Sequence, residues 1–183
     1  PDHQTVLRRQ QAFGYTQEDI SLLLAQMAKA GEEPLGSMGT DTPLAALSLR
    51  PRLLYDYFKQ LFAQVTNPPL DAIREELVTS MESTIGPERN LLLPEPESCR
   101  QINVRYPIID NDQLAKLRHI QDHAHLDGFR SVTLPMIYDP REGGAALERA
   151  MARLQAQASA AVREGNTILI LSYRGVTGKC API

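Results

Sequence analysis

Cysteine is scarce: the 183 residues hold two, Cys99 and Cys180, too few and too far apart for CxxC spacing or for the disulfide framework of a small secreted protein. Two free thiols are expected. An excess of basic residues is lacking as well. With 19 Lys and Arg against 22 Asp and Glu, the net charge is -3, which removes the footprint of a general nucleic-acid binder. No run approaches the roughly 18 consecutive apolar residues that cross a bilayer, and the opening PDHQTVLRRQQ is polar rather than a signal-peptide core. A cytoplasmic protein with neither nucleic acid nor membrane as partner is therefore expected. Internal repeats, low-complexity tracts and a Ser/His/Asp or Cys/His nucleophile set are absent too. The lack of an initiator methionine, and an apolar strand close to the last residue, point to a segment of something longer. What is present is ordinary: 43% apolar and 22% charged residues exclude global disorder, and the length suits one domain.

The first part of the chain, to about residue 98, reads as helices and turns. Thr16 and Asp19 have capping-box spacing, and Ile20, Leu23, Leu24 and Met27 form one apolar stripe before Gly31 supplies a left-handed stop. Residues 31 to 51 carry three glycines and three prolines and read as a long loop. From Pro51, the residues Leu54, Phe58, Leu61, Phe62 and Val65 repeat at helical spacing until Asn67-Pro68-Pro69 stops them. Asp71 caps a third helix to about Ser80, with Ile73, Leu77 and Met81 on one side, and IGPERNLLLPEPES is expected to be irregular.

After Cys99 the periodicity changes. Residues 102 to 109 (INVRYPII) read as a strand. Asp110 and Gln113 then open a helix reaching about His125. Residues 131 to 138 form a second strand, in which Pro135 requires an edge or a bulge. Leu147, Ala150, Met151, Leu154, Ala158, Ala161 and Val162 hold a helical period that Gly165 ends, and TILIL (167 to 171) is apolar on both faces, as a covered parallel strand is. The predicted fold class is α/β, one domain over residues 1 to 183. A helical segment is followed, from about residue 99, by a βαβαβ unit whose small parallel sheet is flanked by helices.

Three groups of residues carry candidate chemistry. Arg174 to Cys180 follows a strand as a phosphate-binding loop does. It fails at both ends, because Tyr173 stands where Gly is needed and Cys180 where Ser or Thr would hold magnesium. His119 and His123, at i and i+4, place two imidazoles in reach of one metal, although a solvated polar face explains the same letters. Gly36 to Thr42 (GSMGTDT) brings backbone amides near an anion or a flat cofactor, or forms a structural turn.

Several longer phrases carry a resemblance: FGYTQEDISLLLAQMA, EPLGSMGTDTPLAALS, RPRLLYDYFKQLFAQVTNPPLDAIREELV, SMESTIGPERNLL and FRSVTLPMIYD. Together they are similar to the central domain of the glutamate synthase large (alpha) subunit, over about residues 10 to 175. The resemblance implies a parent oxidoreductase, an iron-sulfur flavoprotein, that makes glutamate from glutamine and 2-oxoglutarate in ammonia assimilation. In it, ammonia released by an amidotransferase domain travels to an FMN-binding domain. The central domain joins the two and lines part of the passage. By this resemblance Thr66 and Asn67 are walls of the ammonia passage, and Met38 and Gly39 face FMN or 2-oxoglutarate. The segment alone is expected to be non-catalytic and to bind neither FMN nor the iron-sulfur cluster of the parent. Its implied partners are those two domains, with a small electron-donor subunit or ferredoxin. The resemblance also implies that the determinants of the electron donor (NADPH, NADH or ferredoxin) lie elsewhere in the parent.

Leu49 and Tyr173 depart from the family phrases, in which Asp precedes the Arg of LSDRP and LSDRG. The alternative, from a different class, is a free-standing βαβ module that binds an anionic small molecule at the carboxyl ends of its strands.

Overall fold

A computed structural model describes residues 2–34, 47, 49, 65 and 69–183. The predicted helix over 51–65 lies outside these residues, apart from Val65. The chain divides into two compact units, the first comprising Pro1–Ser83 with Arg105–Ile108, the second Thr84–Val104 with Ile109–Ile183.

The first unit is helical. Helix α1 (His3–Ala12) starts at Asp2, whose carboxylate accepts from the Thr5 amide at 2.9 Å. The Thr16/Asp19 box forms as its letters require. The Thr16 amide donates to Asp19 Oδ2 at 2.8 Å, and the Asp19 amide donates back to Thr16 Oγ1 at 3.1 Å. The turn that follows, Asp19–Leu24, is wound as a π-helix before α2 (Ala25–Lys29) takes the tighter α-form. Gly31 ends it at φ +69°. Helix α3 (Ala72–Thr79) is capped by Asp71, which accepts from Ile73 N at 3.1 Å and Arg74 N at 3.0 Å. Its apolar residues Ile73, Leu77 and Val78 remain exposed among the described residues.

The second unit holds the strands. β1 (Ser83–Ile85) and β2 (Ile102–Val104) form one two-stranded sheet. Helix α4 (Asn111–Arg118) opens on a reciprocal box between Asp110 and Gln113. β3 (Ser131–Pro135) and β4 (Ile137–Tyr138) are the two halves of the strand predicted over 131–138, separated at Met136. Helix α5 (Gly144–Arg163) runs for 20 residues, and β5 (Ile168–Ser172) and β6 (Ala181–Pro182) follow. β5 lies parallel to β3, with Ser131 opposite Ile168 and Leu134 opposite Leu171. β6 is antiparallel to β4.

The α/β class and the small parallel sheet stand, with one difference in connectivity. The strand at 102 pairs with Ser83–Ile85 rather than joining β3 and β5. Its short apolar run, Ile102–Val104, finds a ladder partner in a segment whose three residues are too few to show a period. The core of this unit sits where α4 and α5 pack on β3. Ile120, Phe129, Leu134, Ala146, Ala150 and Ala161 are its buried residues. Small residues on α5 let the helix axis approach the sheet, which a row of leucines at the same positions would not. No helix among the described residues is long and apolar enough to cross a membrane.

Candidate functional site

The segments that carry Met38 and Gly39, and Thr66 and Asn67, adjoin one anchored scaffold in the first unit. The chain leaving α2 is stapled to the chain leaving α3. Glu33 N donates to Thr79 O at 3.1 Å, Met81 N donates to Gly31 O at 3.1 Å, and Glu32 and Ser80 form an antiparallel bridge. Gly31 is buried at this junction. A Cβ there would stand 2.9 Å from Arg105 O and 3.0 Å from Tyr106 Cδ1, so both the turn and the close approach require glycine. The segment containing Met38 and Gly39 therefore departs from a fixed point near Glu33. The segment containing Thr66 and Asn67 returns to a fixed point at Asp71. These anchors sit at opposite ends of α3, whose eight residues at about 1.5 Å each make it roughly 12 Å long. Met38, Gly39, Thr66 and Asn67 themselves lie outside the described residues.

His119 and His123 do not keep the helical spacing that put them on one face. α4 ends at Arg118, and His119 is its C-terminal cap. The chain then tightens into a 3-10 turn over Ile120–Asp122, which buries Ile120 at 2% exposure. His119 Nδ1 lies 3.3 Å from Asp122 Oδ2, whereas the His123 ring is paired with His125 at 5.9 Å between centroids. No group of three or more His, Cys, Asp or Glu that could hold a metal occurs among the described residues. The Arg174–Cys180 segment is a tight turn rather than a phosphate cradle. Thr177 N and Cys180 O are bonded at 3.0 Å, and β6 rather than a helix follows it.

A cleft the sequence reading missed, of about 220 Å³, is lined by Tyr138, Asp139, Glu142, Ala146, Arg149, Ala150 and Arg153. It lies where β4 runs into the 139–142 turn, against α5. The signals for it are Asp139-Pro140-Arg141-Glu142 and the i, i+4 arginines of α5. Both of its carboxylates are paired with arginines. Arg141 holds Asp139 through Nε at 2.9 Å and 3.0 Å, Arg149 pairs with Glu142, and Arg153 reaches Ile137 O at 3.5 Å. The Arg141 guanidinium and amide hold the Asp139 carboxyl down at about 2, from an ordinary 3.8. Arg141 and Arg149 are thereby engaged within the protein, and Arg153 meets only a backbone carbonyl.

Cys99 is exposed and Cys180 half-buried, and both are unpaired. Two cysteines are fewer than the thiolates an iron-sulfur cluster takes, so the donor set of this chain does not fit such a cluster by itself.

Comparison with known proteins gives a consistent answer. The family model described as glutamate synthase central domain matches residues 8–183. The chain is 46% identical over 173 residues to a ferredoxin-dependent glutamate synthase 2 of Synechocystis sp., covering 94% of the chain and 11% of that protein. It is 44% identical over 178 residues to the glutamate synthase [NADPH] large chain of Bacillus subtilis, covering 97% and 11%. A glutamate synthase [NADH] of Schizosaccharomyces pombe is 42% identical over 172 residues, covering 94% and 8%. The chain thus spans about a tenth of the length of the curated relatives it matches.

Proposed function

From the premise that this chain belongs to the glutamate synthase central domain family, we propose that it is the connecting segment between the glutamine amidotransferase and FMN-binding synthase domains of a longer parent chain. In this reading it lines part of the passage by which ammonia reaches 2-oxoglutarate. The observation that carries the reading is the family match over nearly the whole chain, in relatives some ten times longer. The stapled exits of α2 and α3 support it, because they hold the roots of both candidate loops at a set distance, as a wall between two neighbours needs. An enclosed route has a chemical purpose: ammonia in neutral water is largely protonated and loses its nucleophilic lone pair.

Within this reading Thr66 and Asn67 are the passage walls, and Met38 and Gly39 face the flavin or 2-oxoglutarate side. FMN and the iron-sulfur cluster belong to the parent, with the cluster's thiolates supplied from outside this segment. The relatives named for ferredoxin, NADPH and NADH match the segment at 46%, 44% and 42%. That near-equality supports placing the choice of electron donor, whether a small subunit or ferredoxin, elsewhere in the parent. The cytoplasm is the proposed location.

The test is Asn67→Trp in the parent enzyme, with glutamate formation measured from glutamine and from added ammonia. The expected result is a loss of about 10-fold or more with glutamine and little change with ammonia, since a blocked route affects only the delivered substrate. Equal loss with both, or none, removes Asn67 from the passage. The free-standing anion-binding alternative has less support, because Arg141 and Arg149 beside the Tyr138 cleft are already paired with Asp139 and Glu142.

A further inference from the structure

Among the described residues β5 is the most apolar strand, ILIL followed by Ser172, yet none of its residues is buried, and Leu171 is 53% exposed. Strands of that composition belong inside a sheet, covered on both faces. β3 occupies only one of its edges. Ile168 N donates to Arg130 O at 3.0 Å, and Ser172 O accepts from Met136 N at 2.9 Å. Because successive residues of a strand turn their amide and carbonyl groups to alternate sides, Ile168, Ile170 and Ser172 face β3, and Leu169 and Leu171 face the other edge. That edge has no strand partner among the described residues.

Beside the start of β5 lies a second cleft, about 620 Å³. Ile168 and Leu169 line one side of it, Thr84 to Glu88 another, and Val162 of α5, itself 58% exposed, also borders it. An apolar strand edge, an apolar helix side chain and an open volume therefore coincide. A ligand cleft would carry convergent free polar side chains, and here two of the four polar lining residues, Asn166 and Thr167, are already bonded to Ala161 O and Arg130 O.

We propose that the outer edge of β5, with the adjoining cleft, is the acceptor site for a further apolar β-strand supplied by the parent polypeptide. The inference rests on the reading of this chain as a segment of a longer synthase. About nine-tenths of each matched relative lies outside the matched segment, which is ample chain to supply the strand. A strand tethered in the same polypeptide acts at an effective concentration in the millimolar range, which a second copy of this chain reaches only in concentrated solution. The added strand pairs with the Leu169 and Leu171 amide and carbonyl groups and covers Leu171 and Val162. It is apolar rather than charged, because the surfaces it meets are leucine, isoleucine and valine.

Residue-resolved hydrogen exchange on the 183-residue chain and on its parent polypeptide tests this. In the short chain the Leu169 and Leu171 amides are expected to exchange at least about 100-fold faster than those of Ile170 and Ser172, and in the parent all four are equally protected. Leu169 and Leu171 remaining open in the parent overturns the proposal. Protection of the two in the short chain overturns it as well, and if that protection grows with concentration it assigns the edge to a second copy. A second variant separates edge from fold. Leu171→Lys lowers the melting temperature of the short chain by no more than about 2 °C, and abolishes the protection of Leu169 in the parent. Unchanged protection in the Leu171→Lys parent contradicts the site. None of these readouts depends on ammonia transfer, so failure here leaves the passage reading standing, and the reverse also holds.

Discussion

Replacing Gly31 by alanine tests whether the junction of α2 and α3 is as tight as its geometry. Two costs act together. Gly31 adopts φ +69°, where an alanine is disfavoured by about 1 kcal/mol. The new Cβ would also meet a backbone carbonyl, Arg105 O, at 2.9 Å, and the Tyr106 ring at 3.0 Å and 3.3 Å. A carbonyl cannot swing aside as a flexible side-chain end can, so the overpacking costs a further ~1–3 kcal/mol. Gly14 supplies the control, because its φ is +78° and nothing lies within 4 Å of its Cβ position. Gly14→Ala is expected to cost only the backbone part, about 1 kcal/mol. Urea unfolding followed by circular dichroism gives both numbers. Exchange of the Glu33 and Met81 amides, which bond to Thr79 O and Gly31 O, reports the junction itself. Gly31→Ala should lose about 2 kcal/mol more than Gly14→Ala and open both amides. Equal losses in the two variants, with Glu33 and Met81 still protected, would refute the argument from close approach.

Asp139 should titrate at about 2 in a carboxyl-resolved NMR experiment and return towards 3.8 in Arg141→Ala. Because its folded value lies below the ordinary one, its contribution to the 139–142 turn is complete above about pH 4 and disappears as pH falls through 2. A midpoint unmoved by Arg141→Ala would contradict the pairing. Asp110→Ala removes the acceptor of the Gln113 amide at 2.7 Å and half of a reciprocal cap, and should cost about 1 kcal/mol of stability by denaturant titration. A loss below about 0.3 kcal/mol would show that the cap is not needed where α4 is already held against β3.

Much of this architecture is local, and the local part was legible. The capping pairs Thr16/Asp19 and Asp110/Gln113, the cap at Asp71 and the left-handed exits at Gly31 and Gly165 are each decided within a few residues. All five appear as their letters require. Helix α5 was legible for a related reason: 20 residues repeat one period often enough to be read. Pairing is not local. Nothing within Ser83–Ile85 marks it as the ladder partner of Ile102–Val104, since three residues cannot show alternation. The histidines illustrate the opposite error. Spacing at i and i+4 brings side chains together only while the helix continues, and burial of Ile120 draws the chain into a tighter turn one residue after His119. The cleft at Tyr138 was hidden because its lining comes from β4, the 139–142 turn and two turns of α5, brought together only by packing. Thr66, Asn67, Met38 and Gly39 rest on resemblance to a family rather than on any geometry or periodicity of their own.

A segment that only shapes a route between active neighbours, as proposed, holds no ligand site of its own. Isothermal titration of the 183-residue chain with FMN and with 2-oxoglutarate decides this. The expected result is no saturable binding tighter than about 1 mM for either compound. Micromolar binding of either one by the isolated chain would contradict it.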